Sequence, residues 1–184
     1  VAVFGQGIVG LLTTALLAYF PLAQLTSFEP LPARRQASLA AGAHASVDPS
    51  ETGMPARAFP DGADLTYELT GTPSVLEQAI KVTGFSGRVV VGSWYGRKRA
   101  SLDLGSHFHR SRLHLISSQV STIDPQLSGR WTKERRFSVA WDMLRAVRPS
   151  RWITHQVPFR KASQAFELLD RSPEACIQAV LQYT

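Results

Sequence analysis

The chain carries a single cysteine, Cys176, and its 14 acidic side chains are outnumbered by 20 lysines and arginines in 184 residues. One thiol excludes an intrachain disulfide framework and any metal centre built from several thiolates. It fits a reducing cytoplasm, with packing as the expected role of Cys176. Long uninterrupted apolar runs are missing as well. The stretch nearest to a membrane span, Ile8 to Leu25, is broken by Pro21 and Gln24 and reads as a helix followed by a strand, so no membrane partner is expected. The chain has no initiator Met, and Val1 already stands inside a strand pattern. It therefore reads as cut from something longer, with its own N-terminus missing and no signal peptide.

The net charge of +6 would favour anionic partners. Its cations gather at Arg97-Lys98-Arg99, at Arg110 with Arg112, and from Arg130 to Arg136. Aromatic side chains are not interleaved with them as a base-stacking surface requires, so these clusters read as solvated surface and nucleic acid is not an expected partner. With 44% hydrophobic and 18% charged residues, the chain has material for one substantial core and no sign of disorder.

Within that core material the most informative run is Val1-Ala2-Val3-Phe4-Gly5-Gln6-Gly7-Ile8-Val9-Gly10, an apolar strand pattern, a G-x-G-x-x-G turn, and the start of an apolar helix through Leu11, Leu12, Ala15, Leu16 and Tyr19. That order is a dinucleotide-binding signature. Gly5 permits the tight turn, Gly7 lets backbone approach a pyrophosphate, and Gly10 lets the helix pack closely. The helix start directs free N–H groups and a positive dipole end at the anion. The next apolar run, Leu25-Thr26-Ser27-Phe28-Glu29, ends in an acid nineteen positions after Gly10, against the roughly twenty that the motif requires. A carboxylate there accepts from adenosine ribose hydroxyls and repels a 2′-phosphate, which favours NAD over NADP. Arg34 and Arg35 follow closely, and a guanidinium is a partner for that phosphate in the NADP alternative.

Further strand patterns at Ala43 to Val47, Asp64 to Leu69, Arg88 to Gly92 and Leu113 to Ser117 bring the count to six. Val75, Leu76, Ala79 and Ile80 make one helical apolar face, and Phe137, Ala140, Trp141 and Leu144 another. Alternation of this kind predicts an α/β fold with a doubly wound, parallel, six-stranded Rossmann sheet. Its ligand belongs at the carboxyl ends of the strands, where Gly5 to Gly10, Glu29, Thr70-Gly71 and Gly92-Ser93 all fall. Gly53 to Gly62 and Ser121 to Thr132 read as loops. From Arg151 the pattern is strand (Trp152 to Val157), helix (Lys161 to Leu169) and strand (Ile177 to Gln182), more than the sheet requires.

Two other chemistries are weaker in the residues. His107, His109 and His114 lie near Asp103, but a catalytic zinc wants three protein ligands plus water, and solvated loop histidines are the expectation, with no metal site in this chain. Gly92-Ser93-Trp94-Tyr95-Gly96 departs from the G-x-S-x-G spacing of a hydrolase elbow.

The chain resembles the cofactor-binding half of the medium-chain, zinc-type alcohol dehydrogenase superfamily across essentially all its residues. Beyond the glycine turn, the resemblance is carried by Leu39-Ala40-Ala41-Gly42-Ala43, by Asp64-Leu65-Thr66-Tyr67-Glu68-Leu69-Thr70-Gly71, and by Gly87-Arg88-Val89-Val90-Val91-Gly92. In the tail it is carried by Ile153-Thr154-His155, Pro158-Phe159 and Ala165-Phe166-Glu167-Leu168-Leu169.

The resemblance implies that Gly5, Gln6, Gly7, Ile8, Val9 and Gly10 form the pyrophosphate turn, that Glu29 binds the adenosine ribose, and that Arg34 lines the adenosine side. Thr70 and Gly71 would border the cofactor after the fourth strand, and Val91, Gly92 and Ser93 would lie against the nicotinamide after the fifth. Where some members place a basic side chain on the pyrophosphate, this sequence has Gln178. The implied division is a dinucleotide domain over 1–150 and a segment over 151–184 that returns to a catalytic domain. That domain, the family's first half, carries the zinc ligands and proton relay, so zinc would enter only through it and this chain alone would be inactive. The implied function is the NAD(H)-binding portion of an oxidoreductase acting on an alcohol or carbonyl substrate, with pairing into a homodimer along the sixth strand, Leu113 to Gln119. The alternative is a non-catalytic dinucleotide-binding or interaction module.

Overall fold

A computed structural model describes residues 1–51 and 53–183. Six strands form one sheet: β1 (Ala2–Phe4), β2 (Thr26–Phe28), β3 (Ala45–Val47), β4 (Ala63–Glu68), β5 (Thr83–Val91) and β6 (His114–Ser117). Their order is β3-β2-β1-β4-β5-β6, and every neighbouring pair is parallel. This is the doubly wound order, in which the chain reverses its direction of winding between β1 and β4 and opens a crevice at their carboxyl ends. The expected sheet is therefore present, strand for strand.

The connections are α1 (Ile8–Leu17), α2 (Pro32–Ala40), α3 (Pro73–Val82) and α4 (Lys133–Val147). Both α2 and α3 open on a proline in the first helical position, where its fixed φ suits the helix and its missing N–H costs nothing. One core lies between the sheet and α3, where Phe4, Phe28, Ala63, Leu76, Ile80 and Val89 are buried together. The Phe4 and Phe28 rings stack with centroids 4.5 Å apart. Burying such a side chain stabilises by about 1.5–3 kcal/mol. A second core, Leu11, Ala15, Ala41, Val147 and Trp152, covers the α1 side.

After α4, β7 (Ile153–Pro158) pairs in parallel with β8 (Gln178–Gln182) as a separate two-stranded sheet, crossed over by α5 (Ala162–Arg171). Trp152 ties this unit to α1 through the second core. Thr184, the last residue of the 151–184 segment, lies outside the described residues.

Four local expectations change. The first helix stops at Leu17, before Pro21, and leaves Tyr19 exposed. Strand β3 starts at Ala45 because the backbone N–H groups of Ala43 and His44 turn back to Ser38 and Leu25 to close the α2–β3 connection. Strand β5 starts five residues early: α3 runs directly into Thr83-Gly84, which pair beside Ala63 before a register shift. Gly84 packs so closely on Gly62 that a Cβ there would stand 2.9 Å from the Asp61 carbonyl. The largest change concerns α4, whose periodicity is as expected but whose Phe137 and Trp141 are 57% and 60% exposed.

Candidate functional site

The glycine turn opens at the end of β1, where the Gly5 N–H still pairs with the Phe28 carbonyl (2.9 Å). Gly5 sits at φ +87°, and a Cβ there would lie 3.0 Å from the Leu69 backbone. At Gly10 a Cβ would lie 1.9 Å from the Gly5 carbonyl oxygen, so the helix approaches its own turn too closely for any side chain. At Gly7 a Cβ would meet nothing within 4 Å. Two glycines thus serve the fold, and the third faces open space. Gly7 caps α1 without a side-chain partner, so the N–H groups of Ile8, Val9 and Gly10 have no intrahelical acceptor and concentrate positive potential there. Such a terminus suits an anion.

Glu29 directly follows β2 and is 4% exposed. Its Oε2 accepts from the Gln6 N–H (2.7 Å) and its Oε1 from the Leu31 N–H (3.1 Å). The carboxylate therefore pins the glycine turn to β2, while each oxygen keeps a lone pair for a further donor. Arg35 donates to the carbonyls of Glu29 and Pro30 and pairs with Asp48 at 3.3 Å. Arg34 reaches across the fold to the carbonyls of Pro173 (3.2 Å) and Cys176 (3.0 Å). Both guanidinium groups that a 2′-phosphate would recruit are already held by the protein.

A cleft of about 560 Å³ joins these parts and is lined by Gly5, Gly7, Glu29, Arg34 and Thr70 among others. Sequence reasoning missed Leu31, Val75 and Gln78 on its walls. The residues present fit a dinucleotide: open space over Gly7, a free helix terminus, and a buried acid with spare acceptor capacity beside the turn.

Toward β5 the site is knitted by a second buried carboxylate. Glu68, the last residue of β4, is fully buried. It accepts from the Thr70 N–H (2.8 Å) and hydroxyl and from the Tyr95 hydroxyl. Burial and this hydrogen bond to Glu68 push the Tyr95 phenol well above its ordinary range, so it remains a donor at neutral pH. Ser93 Oγ accepts from the Gly71 N–H (2.8 Å) and donates to the Glu68 carbonyl (3.3 Å), while Lys98 donates to the Gly71 carbonyl (3.3 Å). The Gly92 N–H also donates to the Glu68 carbonyl (3.0 Å), and a Cβ at Gly92 would stand 2.5 Å from Leu69 Cδ2. Val91 packs on the core. Thr70, Gly71, Gly92 and Ser93 are thereby held together, with Trp94 left 89% exposed beside them. Glu68 was not singled out from the sequence as a site residue.

The other candidates fall elsewhere. His107 donates from Nε2 to the Thr83 carbonyl (2.8 Å) and accepts at Nδ1 from Ser111 (3.1 Å), which spends both ring nitrogens. Asp103 caps a wide turn at Leu104–Phe108, accepting from the N–H groups of Gly105 and Ser106. No group of three metal-binding side chains converges among the described residues. Gln178 turns its amide to the Ala179 carbonyl (2.8 Å) at the start of β8. Cys176 is buried, its sulfur facing the Thr154 hydroxyl at 3.6 Å. Among the described residues no helix is long and apolar enough to cross a membrane.

No protein-family model matches the chain. It is similar to (R,R)-butanediol dehydrogenase of Bacillus subtilis, with 36% identity over 96 residues that span 50% of this chain and 28% of that protein. Among solved structures, it superposes on an Escherichia coli alcohol dehydrogenase in complex with NADH with a TM-score of 0.80 and 17% identity, covering 99% of this chain and 51% of that one. The 2R,3R-butanediol dehydrogenase of Bacillus subtilis gives 0.75 and 21%, covering 100% and 50%. An alcohol dehydrogenase from Thermus gives 0.77 and 19%, with the same coverage. The chain spans about half the length of these structures.

Proposed function

We propose that this chain, which matches the cofactor-binding half of the medium-chain, zinc-type alcohol dehydrogenases, is the NAD(H)-binding portion of an oxidoreductase that moves hydride between nicotinamide and a small alcohol or carbonyl substrate. The observation that carries the reading is the contrast within the glycine turn: Gly5 and Gly10 are closed in by backbone, whereas Gly7 opens on the cleft. The N–H groups of Gly7 to Gly10 bind the pyrophosphate there, and Glu29 holds the adenosine ribose. Thr70 and Gly71 border the cofactor after β4, and Val91, Gly92 and Ser93 lie against the nicotinamide after β5, their loops fixed by Glu68 and Tyr95. The cofactor supplies the hydride chemistry, and the protein orients it.

NAD is favoured over NADP because Glu29 brings a negative charge to the ribose and both Arg34 and Arg35 are committed to carbonyls and Asp48. The division at residue 150 follows the break between the six-stranded sheet and the β7-β8 sheet. By the family resemblance, zinc and the proton relay would enter through the first half of the family, which this chain does not match, and our reading is that the chain by itself is inactive. We place the protein in the cytoplasm, with neither nucleic acid nor membrane as partner, and as a homodimer through β6, whose four residues are exposed. Titration with NADH and NADPH side by side tests the reading. NADH binds more tightly in the wild type and loses affinity in Glu29→Ala; absence of binding of either by folded protein refutes it.

A further inference from the structure

Three buried side-chain polar atoms lack a hydrogen-bond partner among the described residues: Gln6 Nε2, Arg34 Nε and Gln78 Oε1. Buried polar groups are paired as a rule, because an unmade bond costs the full desolvation of the group. Two of the three belong to residues that line the cleft, Arg34 and Gln78, whereas the Gln6 side chain turns to Thr14 on α1. Arg34 is anchored by its terminal nitrogen to the Pro173 and Cys176 carbonyls. Gln78 makes no such contact. It stands on α3 three residues after Val75, on the same helical face. The two form one wall of the cleft, to which Pro30 and Leu31, directly after Glu29, contribute another. Ser50 also lines the cleft, but its hydroxyl is committed to Asp48 (2.7 Å).

We propose that the Gln78 carboxamide reads the base of the bound dinucleotide and makes the cleft selective for adenine over hypoxanthine. The inference rests on the dinucleotide reading above. With the ribose at Glu29, the base extends past it between the Pro30-Leu31 and Val75-Gln78 walls. A carboxamide is complementary to the adenine edge: Oε1 accepts from the N6 amino group while Nε2 donates to N7. The terminal torsion of glutamine is broad and soft, so rotation brings Oε1 to the cleft when a base demands it. Hypoxanthine carries an oxygen in place of the amino group. Against it, Oε1 meets a second acceptor and stays unpaired.

The test is fluorescence titration of the chain with NADH and with reduced nicotinamide hypoxanthine dinucleotide. Wild type binds NADH roughly tenfold more tightly. In Gln78→Leu the two dissociation constants converge while thermal unfolding stays close to wild type. In Gln78→Glu, which keeps an acceptor for the amino group, the preference persists. Equal affinities in wild type, or a preference that survives Gln78→Leu, overturn the assignment of Gln78 alone. Binding of neither dinucleotide by wild type overturns the cofactor reading and this inference with it.

Discussion

Strands β1 and β6 belong to the same parallel sheet, yet all three residues of β1 are buried and all four of β6 are exposed. Around β1 the sheet is covered on both faces, by α3 through the Phe4 core and by α1 through Leu11 and Ala15. At the β6 end the segment entering the strand folds into a wide turn, and α4 buries only Val147. The difference teaches where the molecule has invested its close packing. At the carboxyl ends of β1, β2 and β4, which frame the cleft, backbone approaches at Gly5 and Gly10 leave no room for a Cβ, and Glu29 and Glu68 are buried and satisfied by backbone N–H groups. The β6-α4 end keeps apolar side chains in water.

The sharpest way to break this comparison lies inside the glycine turn. Gly10→Ala forces a methyl group against the Gly5 carbonyl and costs about 3 kcal/mol, a fall in melting temperature of roughly 6–12 °C by calorimetry. Gly7→Ala, three residues earlier but facing open space, leaves the free energy of unfolding within about 0.5 kcal/mol of wild type and weakens NADH binding. Next in size is Glu29→Ala, which strips the Gln6 and Leu31 N–H groups of their acceptor. A loss of about 1–3 kcal/mol in denaturant unfolding is expected. Tyr95→Phe removes one donor from the buried Glu68 carboxylate, with an expected cost of about 1–2 kcal/mol and faster proteolysis in the 92–98 loop. At the other end of the sheet, Trp141→Ser changes stability by less than about 0.5 kcal/mol, because the side chain is largely in water.

The smallest effect is on the acid side. Hydrogen bonds from Ser50 hold the Asp48 carboxyl below its usual range, and those from Ser106 do the same for Asp103. A depressed folded value contributes stability above the unfolded pKa, and that contribution is lost as pH falls through the folded one. The melting temperature therefore declines below about pH 4, and less steeply in Asp48→Asn measured by the same calorimetric scan.

Much of this was legible in the sequence, for local reasons. The glycine turn, Glu29 and the six strands are written in short-range spacing, and alternation of strands and helices leaves few topologies besides the doubly wound one. What escaped is written in long-range pairing. Glu68 reads as an ordinary strand residue until Tyr95, in the loop after β5, is seen to close on it. Arg34 reads as an adenosine-side cation, and nothing nearby signals that its partners are the carbonyls of Pro173 and Cys176. Periodicity identified the α4 stripe, but periodicity states which face is apolar and not whether anything covers it. The early start of β5 depends on the contact between Gly84 and Gly62, which no local pattern announces.

The measurement that tests the central claim most directly is calorimetric titration of NADH into wild type and Gly7→Val, with melting curves on both. The account predicts stoichiometric binding by wild type that Gly7→Val abolishes while remaining folded. Equal binding by the two proteins would contradict it, because the phosphate would then lie somewhere other than the open space over Gly7.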